Sequence, residues 1–169
     1  MAVGAPAQDK SLVANLGEIK VSSDPEMTLS CLGVGSCVAV CIYDSKAGVG
    51  GMAHVVLPFS DNGVRARGNG TKYANIAIPE LLQQMRDAGA VRSRLVAKIS
   101  GGAQMFKAGA GATMETGKRN VEAVKKVLAD EAIKISGEDT GGTKGRTVRI
   151  HVGSGKITIK TVGGPENEL

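Results

Sequence analysis

The sequence predicts an α/β fold, a single-domain layered sandwich of mixed, largely antiparallel β-sheet with two main helices. Short apolar segments with strand character alternate along the chain with two segments of helical periodicity. Turn signals join strands as hairpins near both ends of the chain, so most neighbouring strands are expected to be antiparallel. A chain of 169 residues that is 42% hydrophobic has the size and apolar content of one domain with a buried core.

The strands are predicted from apolar runs and from alternation of apolar and polar residues. The run 37–43 is apolar on both faces, as is typical of a central strand, and 49–57 returns from it as a hairpin. The segment 32–36 is too glycine-rich to predict regular structure. The predicted strands cover residues 18–21, 37–43, 49–57, 95–99, 133–135, 147–152 and 157–159.

Two amphipathic helices are predicted from apolar residues that recur at spacings of three and four. One covers roughly 72–88 and the other lies near 117–131. We expect a flexible N-terminus over residues 1–16, one domain over 17–164 and a C-terminal tail over 165–169.

The net charge of +5 does not by itself indicate nucleic-acid binding. Lysine and arginine are scattered, and the aromatic residues on which bases stack make up only 2% of the chain. We expect no nucleic-acid partner, whereas a basic surface suits an acidic protein partner. No apolar run reaches the roughly 18 residues of a membrane span. The N-terminus lacks a secretion-signal pattern, so we expect a soluble, cytoplasmic protein without membrane insertion.

Three cysteines, Cys31, Cys37 and Cys41, lie within one short segment. Their odd number in a chain without a secretion signal predicts reduced thiols. A strand separates Cys37 from Cys41 by about 13 Å, whereas two sulfurs on one zinc ion lie at most about 4.6 Å apart. The same separation excludes a disulfide between them. We expect neither a metal site nor a cofactor.

The first hairpin brings a thiol and an imidazole together. Residues that face each other in an antiparallel hairpin have a constant sum of residue numbers, and Cys37 and His54 share that sum with a turn at Ser45 and Lys46. A turn displaced by one residue on each strand leaves the two as diagonal neighbours at about 7–8 Å on the same face. A thiol beside an imidazole is the minimal nucleophile and general base for acyl transfer.

The loop before Cys37 contains Gly35 and Ser36, whose backbone N–H groups are candidates for an oxyanion hole. The pattern alone leaves two interpretations open, because a cysteine and a histidine also face each other in hairpins as plain core packing.

Six strings of residues together resemble a known family, the chemoreceptor glutamine deamidases called CheD. They occur in the family's order and at similar spacing over about residues 18–162. The strings are Leu32-Gly-Val-Gly-Ser-Cys37-Val-Ala-Val, Gly50-Gly-Met-Ala-His54, Tyr73-Ala-Asn-Ile-Ala-Ile-Pro-Glu-Leu-Leu82, Ala97-Lys-Ile-Ser-Gly-Gly-Ala-Gln-Met-Phe106, Gly117-Lys-Arg-Asn-Val-Glu-Ala-Val124 and Glu138-Asp-Thr-Gly-Gly-Thr-Lys-Gly-Arg146.

The resemblance implies hydrolysis of selected glutamine side chains of methyl-accepting chemotaxis receptors to glutamate, and binding to a CheC-type phosphatase. It also implies Cys37 as nucleophile and His54 as general base. The family usually has a threonine six residues before the cysteine, where it orients the histidine. This chain has Cys31 there, so the orienting role falls to Cys31 itself, to Ser30 or Thr28, or to a backbone carbonyl.

Alternatives to that activity are a non-catalytic module that regulates a CheC-type phosphatase and a thiol hydrolase of another substrate. Phe106 ends a glycine-rich loop, where it either binds a partner or anchors the core.

Overall fold

The computed structural model describes residues 10–60, 70–105 and 115–169. This part of the chain contains ten strands, two α-helices and the short 3-10 helices Gly70–Lys72 and Arg92–Arg94. The strands and helices are β1 (Lys10–Val13), β2 (Ile19–Ser22), β3 (Met27–Val34), β4 (Val38–Asp44), β5 (Val49–Val55), α1 (Ala74–Asp87), β6 (Val96–Gly101), α2 (Thr116–Asp130), β7 (Lys134–Thr140), β8 (Arg146–His151), β9 (Lys156–Thr161) and β10 (Glu166–Glu168).

The strands form two five-stranded sheets. Sheet I has the order β1-β3-β8-β9-β10, and sheet II has the order β2-β5-β4-β6-β7. Only the pairs β1–β3 and β6–β7 are parallel, and all other pairs of these sheets are antiparallel. This confirms the predicted α/β class with a mixed, largely antiparallel sheet and two main helices.

Sheet II is the middle layer, because each of its faces is covered by a separate apolar core. Val38, Val40 and Ile42 of β4 point into a cluster with α1 and α2. Ala39 and Cys41 point the other way, into the inter-sheet core that sheet I closes. The strand is therefore apolar on both faces, which explains why its sequence runs apolar without alternation.

The chain between the two sheets differs from the prediction. We expected no regular structure over 32–36, but β3 extends to Val34. Gly33 has a φ of +61°, and the register with β8 shifts between Cys31 and Val34. A bulge at the glycine thus absorbs the irregular step and lets the strand resume.

Both ends of the described chain also carry strands, in the segments where the sequence predicted a flexible N-terminus and a C-terminal tail. β1 lies within the expected flexible stretch 1–16, and β10 lies within the expected tail 165–169. Both are short edge strands with mostly exposed side chains. Their pairing with β3 and β9 is made by backbone hydrogen bonds, which leave no hydrophobic pattern in the sequence.

None of the helices in the described ranges combines the length and the apolar character that crossing a bilayer requires.

Candidate active site

Cys37 lies in the short connection from β3 to β4, directly before the first residue of β4. Its side chain is partly buried and packs against the inter-sheet core. The other two cysteines are fully buried in that core. Burial raises the pKa of the Cys37 thiol above its ordinary value of 9.0, and it raises that of Cys41 to about 12. Cys37 is therefore the accessible thiol of the three.

His54 lies on β5 and faces the same inter-sheet side as Cys37. The register of the hairpin pairs His54 with Ala39, two residues beyond Cys37. Cys37 and His54 are thus diagonal neighbours rather than directly opposed, as expected for a turn displaced by one residue on each strand. Such neighbours lie about 7–8 Å apart at Cα, within reach of an imidazole. No hydrogen bond joins the two side chains in this structure.

The displaced turn has a local cause in Asp44, which is fully buried at the end of β4. One carboxylate oxygen accepts hydrogen bonds from the backbone N–H groups of Lys46 and Ala47, both at 3.0 Å. Gly48 follows with a φ of +65°. The loop consequently spans residues 45–48 instead of turning at Ser45 and Lys46.

A backbone carbonyl orients the His54 ring. The Nδ1–H group donates to the carbonyl oxygen of Ala14 at 3.0 Å, in the chain that follows β1. Because a carbonyl oxygen only accepts, the proton of the neutral ring sits on Nδ1 and the lone pair is on Nε2. Nε2 is buried and has no hydrogen-bond partner among the described residues. The ring is thereby held in the tautomer that a general base needs.

The protonation states of the pair follow from burial. Burial lowers the pKa of His54 below its ordinary value of 6.5, and the hydrogen bond to Ala14 only partly offsets this. The pKa of Cys37 is shifted upward by the same cause. At neutral pH the resting site therefore holds a thiol and a neutral imidazole rather than a thiolate–imidazolium pair.

The connection that carries Cys37 is held by three donors on three successive carbonyl oxygens. The N–H of Ala103 donates to Gly35 at 2.8 Å, and the N–H of Gly102 donates to Cys37 at 2.7 Å. Between them, the side-chain amide of Asn120 donates to the Ser36 oxygen at 2.9 Å. These three contacts fix the peptide planes of the loop.

The N–H groups of Ser36 and Cys37 point away from these donors, because carbonyl and N–H lie on opposite sides of a trans peptide plane. Within residues 10–60, 70–105 and 115–169, neither group donates a hydrogen bond to another residue, and the Cys37 N–H interacts only with the sulfur of its own side chain. They are available to a developing oxyanion, as was expected for the loop at Gly35 and Ser36. Met105 lies over Gly35, where an added Cβ would come within 3.0 Å of its Cγ.

The residues proposed to orient His54 are arranged differently from the expectation. Cys31 is fully buried in the inter-sheet core and makes no hydrogen bond to the imidazole. Thr28 contacts His151 at 3.1 Å instead. Ser30 alternates with Cys31 along β3, so its side chain lies on the outer face of sheet I. Of the four possibilities, the backbone carbonyl is the group that contacts the ring.

Two contributors escaped the sequence analysis. The Ala14 carbonyl is a backbone atom and has no sequence signal. Asn120 has one, because it occupies a buried position of α2 between Gly117 and Val121, on the apolar stripe of the helix. A polar residue on such a stripe requires a buried partner. Phe106, the residue considered for partner binding, lies outside the described residues.

The comparisons with known proteins bear on the same segments. The family model described as "CheD chemotactic sensory transduction" matches residues 56–161. A "Probable chemoreceptor glutamine deamidase CheD" of Symbiobacterium thermophilum is 43% identical over 95% of this chain and 99% of its own length. The "Chemoreceptor glutamine deamidase CheD" of Thermotoga maritima is 46% identical, over 91% of this chain and 94% of its own. The chain belongs to the CheD family.

The family model begins just after His54, so the thiol and the imidazole lie outside the segment that it matches. The full-length relatives extend the CheD match over nearly the whole chain. Among solved structures, the Bacillus licheniformis hypothetical protein YfiH matches with a TM-score of 0.47 and 14% identity, covering 80% of this CheD-family chain and 61% of its own. A Neisseria meningitidis protein of the DUF152 family matches with a TM-score of 0.39 and 13% identity, over 80% and 60% of the two chains.

Proposed function

We propose that this chain is a protein-glutamine deamidase that hydrolyses selected glutamine side chains of methyl-accepting chemotaxis receptors to glutamate. Its relatives are named for that activity. The observation that carries the proposal is that Cys37, the accessible thiol, lies on the same sheet face as His54. The Nε2 lone pair of His54 has no hydrogen-bond partner among the described residues. Such a pair is what acyl transfer from an amide requires.

In the first step, His54 Nε2 takes the proton of the Cys37 thiol as the sulfur attacks the side-chain amide carbon of glutamine. The carbonyl oxygen becomes an oxyanion, which the N–H groups of Ser36 and Cys37 stabilise. A well-placed donor of this kind is worth about 3 kcal/mol in the transition state. A neutral resting pair suits this route, because the thiol proton moves to the imidazole as the sulfur attacks.

The tetrahedral intermediate collapses when the imidazolium returns its proton to the amide nitrogen, and ammonia leaves. This yields a thioester between Cys37 and the substrate side chain. His54 then takes a proton from a water molecule, whose oxygen attacks the thioester carbonyl. Release of the Cys37 sulfur, reprotonated by His54, gives glutamate and restores the enzyme.

A terminal carboxamide suits this site better than a peptide bond does. It is carried at the end of a flexible side chain and reaches a shallow site beside a hairpin without unwinding of the substrate helix. A second part of the proposal is association with a CheC-type phosphatase, which rests on the family resemblance. The proposal also places the chain in the cytoplasm, because the receptor glutamines that it would hydrolyse lie in the receptors' cytoplasmic region.

The test is incubation of the purified chain with a cytoplasmic fragment of a chemoreceptor. Ammonia release and the mass increase from replacing an amide by a carboxyl group are followed together. We expect Cys37→Ala to abolish both signals and His54→Gln to slow them about a thousandfold. The two losses do not add in the double variant, since the pair acts as a unit.

The matched control is His151→Gln, because His151 lies on the outer face of sheet I and contacts Thr28 rather than the thiol. It is expected to keep the wild-type rate. A Cys37→Ala variant that still deamidates at the wild-type rate overturns the thiol mechanism. A wild-type chain that releases no ammonia but binds a CheC-type phosphatase favours the non-catalytic alternative.

A further inference from the structure

We propose that Asn120 is a positioning residue. It fixes the loop of residues 35–37, here called the nucleophile loop, against the strand of the general base, and it orients the Cys37 N–H toward the oxyanion. The inference rests on the proposed thiol mechanism and deepens it. The hydrogen bonds of Asn120 go to backbone carbonyls beside Cys37 and His54 rather than to the thiol or the imidazole, so it acts through the backbone.

The amide of Asn120 bridges the two halves of the site. Its Nδ2 group donates to the Ser36 carbonyl oxygen and to the Val56 carbonyl oxygen, at 2.9 Å each. Ser36 directly precedes the nucleophile, and Val56 follows the general base by two residues. One planar NH₂ group thereby sets the separation between the loop that carries Cys37 and the strand that carries His54.

The same contact determines a direction. The carbonyl of Ser36 and the N–H of Cys37 belong to one trans peptide, in which the two groups point to opposite sides. Because Asn120 holds the carbonyl toward α2, the N–H points away from the helix. The adjacent peptide is held in the same way by Ala103, whose N–H donates to Gly35. The N–H groups of Ser36 and Cys37 are thus each oriented by a hydrogen bond to the carbonyl of the same peptide.

The chemistry of the contact requires a side chain with two donors, which the amide of asparagine supplies. Two carbonyl acceptors require two donors, and aspartate offers none when ionised, while serine and threonine offer one. The rest of the side chain gains little from its position. Asn120 is fully buried, yet its Oδ1 has no hydrogen-bond partner among the described residues. A buried orphan acceptor is unfavourable, so packing alone does not account for an amide here.

The test compares Asn120→Ala and Asn120→Ser with Val124→Ala. Val124 is a fully buried apolar residue of the same helix, so its truncation weakens α2 without removing a donor. Rates are measured on the receptor fragment and corrected for the folded fraction of each variant. We expect Asn120→Ala to lower kcat about a hundredfold with KM within about twofold. Asn120→Ser, which keeps one donor, falls in between, and Val124→Ala keeps the wild-type kcat.

A second readout does not depend on deamidation. The N–H of Cys37 interacts with its own sulfur and opposes the rise of the thiol pKa that burial causes. If this N–H turns away from the sulfur, the pKa of the thiol rises further and a smaller fraction is present as thiolate. We therefore expect alkylation of Cys37 by iodoacetamide at pH 8 to slow about three- to tenfold in Asn120→Ala. Cys31 and Cys41 are buried and serve as internal references in the mass spectra.

The outcomes separate this inference from the proposed function. A wild-type chain that deamidates, with Asn120→Ala equally fast or no slower than Val124→Ala, overturns the positioning role alone. A loss that falls entirely in KM also overturns it. A wild-type chain that does not deamidate receptor glutamine overturns the proposed function, and slower alkylation in Asn120→Ala then still supports the positioning of Cys37.

Discussion

His54 is oriented by an atom that no side-chain substitution can remove. Its Nδ1–H donates to the Ala14 carbonyl, so the tautomer with a free lone pair on Nε2 depends on the course of the backbone. The residue that takes the family's usual threonine position, Cys31, lies instead in the apolar core between the sheets. The weakly hydrogen-bonding thiol of Cys31 is tolerated at this position because the His54 ring already donates to the Ala14 carbonyl.

This arrangement predicts a small effect of changes at residue 31. We expect Cys31→Thr and Cys31→Ala to keep kcat within about threefold of wild type, since neither removes the hydrogen bond to Nδ1. Cys31→Ala leaves a small cavity and lowers the free energy of unfolding by about 1 kcal/mol. The measurements are kcat on the receptor fragment and the thermal unfolding midpoint. A hundredfold loss of kcat in a folded Cys31→Ala protein would make the thiol an essential orienting group.

The protonation states predict the pH dependence of the reaction. His54 must be neutral to accept the thiol proton, and burial holds its pKa below 6.5. The acid limb of kcat/KM therefore falls below pH 6.5. Because burial holds the pKa of Cys37 above 9.0, the plateau extends through neutral pH to the alkaline side. A measured profile with its acid midpoint above pH 7 contradicts the buried neutral imidazole.

The lowered pKa of His54 also makes the stability of the fold depend on pH. The folded state binds a proton at His54 less tightly than the unfolded chain does, so the free energy of unfolding falls as the pH drops below about 6.5. His54→Gln removes this contribution, and the difference between the two proteins in denaturant titrations at pH 5 and pH 8 isolates it.

At the scale of elements, the first described strand is a part of the site. β1 pairs in parallel with β3, and the chain then passes through Ala14, whose N–H donates to Ser30 and whose carbonyl meets His54. Ala14 thereby connects sheet I to an imidazole carried by sheet II. An edge strand with mostly exposed side chains thus contributes to chemistry through its backbone.

Truncation tests this role. Removal of residues 1–15 deletes β1 and the Ala14 carbonyl, and we expect kcat to fall about a hundredfold as the ring loses its fixed orientation. Removal of residues 1–9 leaves both in place and is the matched control, expected to keep the wild-type kcat. Circular dichroism is used to check that the chain with the longer truncation folds. A folded 16–169 chain with wild-type kcat would show that the Ala14 contact is dispensable.

The sequence predicted the central elements well, because the signal there lies in the side chains. The apolar run of β4 and the periodicity of α1 and α2 determine which faces are buried, and the shared face of Cys37 and His54 follows from strand alternation. The exact register did not follow. It depends on the Asp44 carboxylate, which accepts from two backbone N–H groups and centres the turn one residue later.

The parts that sequence analysis missed are those that backbone atoms decide. β3 continues through Gly33 because a bulge accommodates a positive φ, and β1 and β10 form by hydrogen bonding to distant strands. The Ala14 carbonyl has no signature at all. Asn120 did have one, as a polar residue on the buried stripe of a helix, and that signal is general enough to look for in other chains.

At the scale of the whole molecule, the nucleophile loop is the meeting point of three layers. Its carbonyls accept hydrogen bonds from α2 and from the segment after β6, while its thiol faces the core that sheet I closes. The segment after β6 is in turn pressed against the first turn of α2. An added Cβ at Gly117 would lie 2.5 Å from the Gly102 oxygen and 2.7 Å from the Ala103 oxygen.

This close approach predicts that Gly117→Ala affects stability and catalysis together. Helix propensity alone favours alanine by about 1 kcal/mol, but overpacking costs about 1–3 kcal/mol, and the opposed atoms are backbone oxygens that cannot rotate away. Since the opposed atoms are backbone, we expect the upper end of that cost and a net loss of about 2 kcal/mol in the free energy of unfolding. Because the displaced residues, Gly102 and Ala103, hold the Cys37 and Gly35 carbonyls, kcat falls as well.

The control for this change is Gly137→Ala on β7, at the far edge of sheet II. There an added Cβ would meet its nearest atom, in the Lys98 side chain, at 3.5 Å, an ordinary contact. We expect its free energy of unfolding to stay within about 0.5 kcal/mol of wild type and its kcat to be unchanged. Denaturant titration and receptor-fragment kinetics on both variants decide the matter. A Gly117→Ala variant that is destabilised but keeps the wild-type kcat, corrected for folded protein, contradicts the prediction. The loop that carries Cys37 then tolerates movement of the helix, and the hydrogen bonds to its carbonyls do not couple helix packing to catalysis.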